Sequence, residues 1–105
     1  MDIIKLTGEN FDEVLSTPTI TAAVGFLAEK CGACEMFRKV LAESADDFSD
    51  VLFCTVNADN EEELAERFYV CRFPTLIVFN GTEERTRYEG LCGKATLGEL
   101  LRDRI

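Results

Sequence analysis

The chain of 105 residues is long enough to bury a hydrophobic core, and we expect one domain spanning residues 1–105. A net charge of -9 at neutral pH argues against a nucleic-acid-binding protein, because phosphates repel an acidic surface. Apolar residues make up 47% of the chain, yet none of its apolar runs approaches the roughly 20 residues of a membrane-spanning helix. The composition is therefore typical of a globular protein that needs neither nucleic acid nor a membrane.

The first ten residues, MDIIKLTGEN, lack the basic segment, apolar core and cleavage site of a secretory signal. We therefore expect a cytoplasmic protein. Structural disulfides are rare in that reducing compartment, and the five cysteines are an odd number that fits such a framework poorly. A static cross-link is accordingly the weakest interpretation of the cysteines.

The N-terminal half of the chain predicts two strands and two helices. Ile3 to Leu6 is a short apolar run suited to a strand, and Asn10 with Glu13 is typical of the start of a short helix. The run from Thr19 to Ala28 is almost entirely apolar, as expected of a strand buried on both faces. A longer amphipathic helix follows, with these residues facing inward: Phe37, Val40, Leu41, Ala45 and Phe48.

The C-terminal half adds three strands and two helices. The apolar runs Val51–Val56 and Thr75–Phe79 are expected to be buried strands. Asn80-Gly81 favours a tight hairpin, after which the polar segment ERTRYE returns as an edge strand. The pairs Asn60–Glu63 and Thr96–Glu99 predict the starts of the two helices. Their predicted inward residues are Leu64, Ala65, Phe68, Leu97, Leu100, Leu101 and Ile105.

The predicted order of elements is β-α-β-α-β-α-β-β-α. Alternating strands and helices favour parallel strands joined by crossover helices, and the hairpin adds an antiparallel edge. We therefore predict an α/β protein, a three-layer α/β/α sandwich around a central mixed sheet.

The segment AEKCGACEMF places Cys31 and Cys34 between a buried strand and an amphipathic helix. Cys31 is expected near the positive end of that helix, and Lys30 adds a neighbouring cation. Both effects lower the pKa of a cysteine, and the thiolate is the nucleophile. Cys34 follows one helical turn later. We expect Gly32 to let the loop turn tightly and to let the backbone of a partner approach.

A metal site is the alternative interpretation of the pair, because zinc sites also use two cysteines at this spacing. Such a site needs four ligands, and the chain has no histidine. The remaining cysteines, Cys54, Cys71 and Cys92, are scattered singly. A metal carrier is therefore a minor alternative, whereas a cysteine pair of this spacing beside alternating strands and helices is a known sign of thioredoxin-like redox proteins.

The sequence resembles the thioredoxin family along nearly its whole length. VGFLAEKCGACEMF is similar to the strand and active-site segment of that family, and VCRFPTLIVFNGTEERTRYEGLCGK is similar to its proline loop, hairpin and closing glycine. The resemblance implies the thioredoxin fold, with Cys31 as the attacking cysteine and Cys34 as the resolving one. It also implies that Pro74 is a cis-proline that faces the active site. Phe73 would offer backbone groups to a bound peptide, and Gly90 would form the floor of the substrate groove.

The sequence departs from the family pattern close to the cysteines. Ala33 stands where the family usually has the active-site proline, and Lys30 stands where it usually has a tryptophan. Gly25 replaces a buried aspartate beneath the cysteines, and Thr55 replaces the lysine that pairs with it. These departures keep disulfide exchange as the expected chemistry but alter its potential and its rate. With Gly32, Lys30 and Ala33 complete the expected surface around the disulfide.

The expected function is reduction of protein disulfides by exchange through Cys31 and Cys34, with a separate thioredoxin reductase-type protein restoring the dithiol. No nucleotide or flavin motif occurs, so we expect no cofactor beyond the two sulfurs. We also expect a monomer whose partners are protein disulfide substrates. The alternatives are a binding module of the same fold without turnover and, with less support, a metal or iron–sulfur carrier.

Overall fold

The computed structural model describes residues 3–17 and 19–102, and within them five strands and four helices alternate as the sequence predicts. The strands are β1 (Ile4–Leu6), β2 (Thr21–Leu27), β3 (Val51–Asn57), β4 (Thr75–Asn80) and β5 (Glu83–Glu89). The helices are α1 (Phe11–Val14), α2 (Gly32–Ala45), α3 (Glu62–Arg67) and α4 (Lys94–Arg102). The predicted inward residue Ile105 lies outside the described residues.

The five strands form one mixed sheet in the order β1-β3-β2-β4-β5. Strands β1, β3 and β2 run parallel, whereas β4 is antiparallel to β2 and β5 is antiparallel to β4. The mixed sheet and the α/β fold class are confirmed. However, the expectation that helices join parallel strands is wrong for the connection through α3. This helix has six residues and is about 9 Å long, too short to carry the chain back along a strand of about 20 Å.

Two hydrophobic cores lie on the two sides of the sheet, and β2 contributes to both because its side chains alternate. All seven of its residues are buried, as predicted for a central strand. Val24 and Phe26 face the α1/α3 core, which also contains Phe11 and Leu64. Leu27 and its alternate neighbour Ala23 face the α2/α4 core, with these helix residues: Phe37, Leu41, Ala45, Leu97 and Leu101.

The predicted start of α1 is confirmed, whereas the predicted starts of α3 and α4 are wrong in detail. Asn10 is at the N-cap position of α1, but its side chain accepts a hydrogen bond from the N–H of Thr7 (2.7 Å) and makes no capping bond. The N-cap residue of α3 is Glu61 rather than Asn60, and its side chain makes no capping bond. Helix α4 begins at Lys94, so the predicted cap Thr96 lies within its first turn. Residue spacing therefore predicted these helices, but not the residues at which α3 and α4 begin.

The hairpin prediction is confirmed, with Gly81 at a positive φ of 58° between β4 and β5. Strand β5 pairs with β4 on one side and lies at the end of the sheet, as expected for the polar segment. Among the described residues, the longest helix has 14 residues, and none of the helices is both long and apolar enough to span a bilayer.

Candidate active site

The segments next to β2, β4 and β5 meet at one end of these strands, because the strand ends are adjacent in register. The C-terminal end of β2 lies beside the N-terminal end of β4, where Phe26 pairs with Thr75. Thr75 pairs on its other side with Glu89, the last residue of β5. The sheet therefore brings together the cysteine pair that follows β2, Pro74 before β4 and Gly90 after β5.

Cys31 and Cys34 form a disulfide at the start of α2, with their Cα atoms 5.2 Å apart. Cys31 is the N-cap residue, and its Sγ accepts a hydrogen bond from the backbone N–H of Cys34 (3.1 Å). Cys34 is fully buried, and its Sγ accepts a weaker bond from the N–H of Ala28 (3.5 Å). Cys31, in contrast, is partly exposed.

The chain turns into α2 at Lys30, which is exposed and has a left-handed φ of 53°. The prediction that Gly32 makes this turn is wrong. Gly32 is the first residue of α2, and a Cβ atom built there would meet no atom within 4 Å. The left-handed residue of this turn is Lys30, one residue before Cys31, and the chain is already helical at Gly32.

Asp59 anchors the segment before the cysteines, a contact that the sequence analysis missed. Its Oδ2 accepts a hydrogen bond from the backbone N–H of Glu29 at 2.6 Å. Asp59 is in turn oriented by Asn57, whose Oδ1 accepts its backbone N–H at 3.1 Å. The signal available in the sequence was position, because Asp59 comes shortly after β3, and β3 is parallel to β2.

Phe73, Pro74 and Gly90 lie together beside the cysteine pair. The Phe73–Pro74 peptide bond is cis, and Pro74 is buried. Gly90 has a φ of 97°, a conformation that favours glycine, and its N–H donates to the carbonyl of Pro74 at 2.7 Å. Phe73 is partly buried and packs against the same α2/α4 core as Cys31. The structure thus assembles the proline and glycine segments that the sequence placed far apart.

Hydrophobic side chains of α2 occupy the space beneath the disulfide. A Cβ atom built on Gly25 would lie 2.9 Å from Cδ1 of Leu41 and 3.2 Å from Cε2 of Phe37. Gly25 pairs with Thr55 on β3, and Thr55 is buried. The pair Gly25 and Thr55 is therefore uncharged, and Leu41 and Phe37 pack closely against Gly25. The resemblance to the family would place a buried acid and a lysine at these two positions.

The other three cysteines differ in their environments. Cys54 is fully buried in the α1/α3 core, and burial raises the pKa of its thiol to about 12. Cys92 is buried in the α2/α4 core, which also raises its pKa. Cys71 is exposed on the segment before Phe73. At neutral pH Cys54 and Cys92 therefore remain protonated core thiols.

The sequence analysis placed Lys30 and Ala33 in the surface around the disulfide. Lys30, just before Cys31, is exposed, and Ala33, between the two cysteines, is partly buried. Within residues 3–17 and 19–102, no three side chains of the metal-binding types come close enough together to hold an ion.

The thioredoxin family model matches residues 2–103. This chain belongs to the thioredoxin family. A thioredoxin from Staphylococcus haemolyticus is 36% identical over 104 residues, covering 96% of each protein. A thioredoxin from Chlamydia caviae is 35% identical over 96 residues, which is 91% of this chain and 92% of that protein. The X-ray structure of Fasciola hepatica thioredoxin has the same fold, with a TM-score of 0.90 at 23% identity, covering 98% of this chain and all of that one.

Membership of the thioredoxin family, together with the Cys31–Cys34 disulfide, makes this protein a thiol–disulfide oxidoreductase. Thioredoxins act on protein disulfides through their own pair of sulfurs, without a further cofactor, and are reduced again by thioredoxin reductase. The predicted activity is confirmed at this level.

Proposed function

We propose that Cys31 is the nucleophile that attacks the disulfide of a client protein and that Cys34 resolves the mixed disulfide. The observation that carries this assignment is the difference in exposure: Cys31 is partly exposed at the N-cap of α2, whereas Cys34 is fully buried. The N–H groups at the start of the helix also stabilise a thiolate at Cys31.

The reaction transfers two electrons to the client in two exchange steps. The Cys31 thiolate forms a bond to one client sulfur, the client S–S bond breaks, and the first client thiolate leaves and takes up a proton. Cys34 then loses its proton and attacks the Sγ of Cys31, which releases the second client thiolate. The client gains two thiols, and the protein is left with the Cys31–Cys34 disulfide, which a thioredoxin reductase-type protein reduces.

The surface beside Cys31 binds an extended segment of the client, with Phe73 offering backbone groups and Gly90 forming the floor. Three observations support this groove: the pairing of the start of β4 with the end of β5, the hydrogen bond from the N–H of Gly90 to the carbonyl of Pro74, and the positive φ of Gly90. Lys30, Gly32 and Ala33 form the opposite border, at the turn and first residues of α2.

The proton of Cys34 passes to solvent or to the departing client thiolate, because the packed Gly25–Thr55 position offers no acid beneath the disulfide. Glu29, two residues before Cys31, is the nearby acid that could substitute, and it is exposed. We therefore expect slow resolution. Rapid-mixing measurements of mixed-disulfide decay between about pH 5 and 10 should show no ionisation of a buried carboxylate. A near-neutral inflection that survives in Glu29→Gln would contradict this route.

The protein acts as a monomeric single domain in the cytoplasm, where a reducing environment keeps Cys54, Cys71 and Cys92 as thiols. Its partners are a thioredoxin reductase-type protein and client proteins with accessible disulfides. Light scattering tests the monomer, and trapping on Cys34→Ser in a lysate identifies clients, since that variant keeps the attacking sulfur but cannot release the mixed disulfide.

The assignment of roles is tested by insulin reduction in the presence of dithiothreitol. Cys31→Ser should lose the stimulated rate, and Cys34→Ser should accumulate a mixed disulfide at Cys31. In the reduced protein, iodoacetamide should modify Cys31 well before Cys34. Cys71→Ser is the matched control, an exposed cysteine outside the pair, and should retain the wild-type rate. Faster labelling of Cys34 would reverse the two roles.

A further inference from the structure

A β-bulge in the last hairpin brings two charged side chains to the same face of β5. The pairing of β4 with β5 shifts by one residue between Val78 and Phe79. Glu84 and Arg87 are three residues apart and would otherwise point to opposite faces, because side chains alternate along a strand. With the extra residue, Arg87 lies opposite Ile77 and Glu84 lies opposite Phe79, so both face the α1/α3 side.

Arg87 joins this strand to the end of α3. Its Nε and Nη2 atoms each donate to one carboxylate oxygen of Glu84 at 2.6 Å, and Nη2 also donates to the carbonyl oxygen of Phe68 at 2.6 Å. Both charged side chains are about two-thirds or more shielded from solvent, with exposures of 27% and 30%. Phe68 is the C-cap of α3, so its carbonyl is one that the helix itself leaves without a partner.

The residue after this contact is held in an unfavourable conformation. Tyr69 has a left-handed φ of 56°, which a bulky side chain rarely adopts, and its side chain is 85% exposed. Such a conformation persists when its surroundings hold it in place. Here the N–H of Val70 donates to the carbonyl of Ala65 at 2.9 Å, and Arg87 holds the preceding carbonyl.

The chain leaves this turn directly into the segment that faces the disulfide. Beyond Tyr69 it runs through Cys71 and Arg72 to the Phe73–Pro74 bond, where the hydroxyl of Thr75 donates to the carbonyl of Arg72 at 2.6 Å. The segment is therefore fixed at one end by Thr75 and at the other by Arg87.

We propose that Arg87, oriented by Glu84, is a positioning residue for client binding: it holds the Phe68–Tyr69 turn and thereby sets the position of Phe73 in the groove. This inference rests on the proposed groove. Arg87 bonds to Glu84 and Phe68 and not to the sulfurs, so its loss acts on binding rather than on the exchange chemistry.

The test is the steady-state kinetics of Arg87→Gln with insulin as the client, followed by chromatography of acid-quenched samples. The KM for insulin should rise about tenfold, the size expected for a lost hydrogen bond to a charged group, with kcat nearly unchanged. Reduction of the small disulfide dithiobis(nitrobenzoate), which does not fill the groove, should keep its wild-type rate. Arg85→Gln is the matched control, because this arginine of the same strand makes a longer, more exposed contact with Glu83 (3.9 Å).

A second variant separates this role from a general loss of stability. Tyr69→Gly removes the unfavourable side chain at the positive φ, so in the Arg87→Gln background it should restore much of the lost affinity for insulin. No recovery would overturn the proposed role in the turn, as would a wild-type KM for Arg87→Gln alone.

Gly90→Ala distinguishes the two levels of the proposal, because it adds a methyl group to the floor of the groove, where a Cβ atom would meet no other protein atom within 4 Å. A raised KM in Gly90→Ala with no change in Arg87→Gln would leave the groove standing and refute the role of Arg87. An unchanged KM in Gly90→Ala would refute the groove and, with it, the inference that depends on the groove.

Discussion

Side chains make opposite kinds of hydrogen bond to the backbones of the two segments that meet at the disulfide. The cysteine segment, residues 28–34, is held through its N–H groups: Cys34 donates to the sulfur of Cys31, and Glu29 donates to the carboxylate of Asp59. In the proline segment, residues 68–74, the side chains of Arg87 and Thr75 bond instead to carbonyl groups, which accept from them.

Two of these bonds lie at helix ends, at Cys34 in the first turn of α2 and at Phe68, the C-cap of α3, and there the difference follows from the direction of the helix. The cysteine segment leads into α2, and the start of a helix presents unpaired N–H groups, which suit sulfur and carboxylate acceptors. The proline segment follows α3, and the end of a helix presents unpaired carbonyl groups, which need donors. The N–H groups at the start of α2 therefore stabilise a thiolate, whereas the carbonyl at the end of α3 accepts a hydrogen bond from Arg87 of β5.

The largest effect is expected beneath the cysteine segment, for Gly25→Asp. This change places a carboxylate against Leu41 and Phe37 without a cationic partner, because its neighbour is Thr55. The free energy of unfolding should fall by about 3–5 kcal/mol, the cost of an unpaired buried charge. Urea unfolding measures this. The matched control Gly25→Ala adds a methyl group without charge and should cost about 1–3 kcal/mol. Equal losses in both variants would mean that crowding alone, not charge, is responsible.

In the proline segment, Thr75→Val should produce the next largest effect. The hydroxyl of Thr75 is buried and donates to the carbonyl of Arg72 at 2.6 Å, so its removal leaves that carbonyl without this donor. We expect a loss of about 1–2 kcal/mol in the free energy of unfolding and a higher KM for insulin. Thr75→Ser keeps the hydroxyl and should retain the wild-type KM. A wild-type KM for Thr75→Val would show that this bond does not position the segment.

A smaller effect is expected for Asp59→Ala in the cysteine segment, because Asp59 is exposed to solvent. Loss of its bond to the N–H of Glu29 should cost about 1 kcal/mol and speed hydrogen exchange at that amide. Asp59→Asn keeps an acceptor oxygen and should show slower exchange at Glu29 than Asp59→Ala. Identical exchange in the wild type and in Asp59→Ala would contradict the anchoring role.

The smallest effect concerns α3, which leads into the proline segment. A hydrogen bond from Arg67 lowers the pKa of the exposed Asp12 carboxyl from its usual 3.8. A lowered pKa means that the ionised form is favoured in the folded state, so this contribution is present above about pH 4 and is lost as the pH falls through the folded pKa. Asp12→Asn should slightly flatten the acid limb of stability against pH, measured by urea unfolding. A steeper acid limb in the variant would contradict the sign.

The sequence alone determined the parts of this protein that depend on local patterns. Alternation and helical spacing depend on neighbours a few residues apart, so they predicted the order of the elements, the buried residues of β2 and, on α2, Phe37, Leu41 and Ala45. The predicted Phe48 lies beyond the end of α2 and is partly buried, as is Val40. The position of Cys31 at a strand-to-helix junction was equally local. The resemblance of the flanking motifs then indicated the family and the redox chemistry.

The tertiary structure decided the features that depend on distant partners. Asn60 has the residue type of a helix cap, yet the N-cap residue of α3 is Glu61, whose side chain accepts the N–H of Gly8, 53 residues away. The antiparallel pairing of β4 with β2 likewise differs from the parallel arrangement that the alternation of strands and helices predicted.

The contacts of Gly25 and Arg87 were likewise decided by tertiary packing. The residues against Gly25 lie more than ten positions away on α2, and the bond from Arg87 to Phe68 requires a bulge between two strands. Local spacing carries no information about such contacts, because they form only when the sheet sets which segments lie side by side.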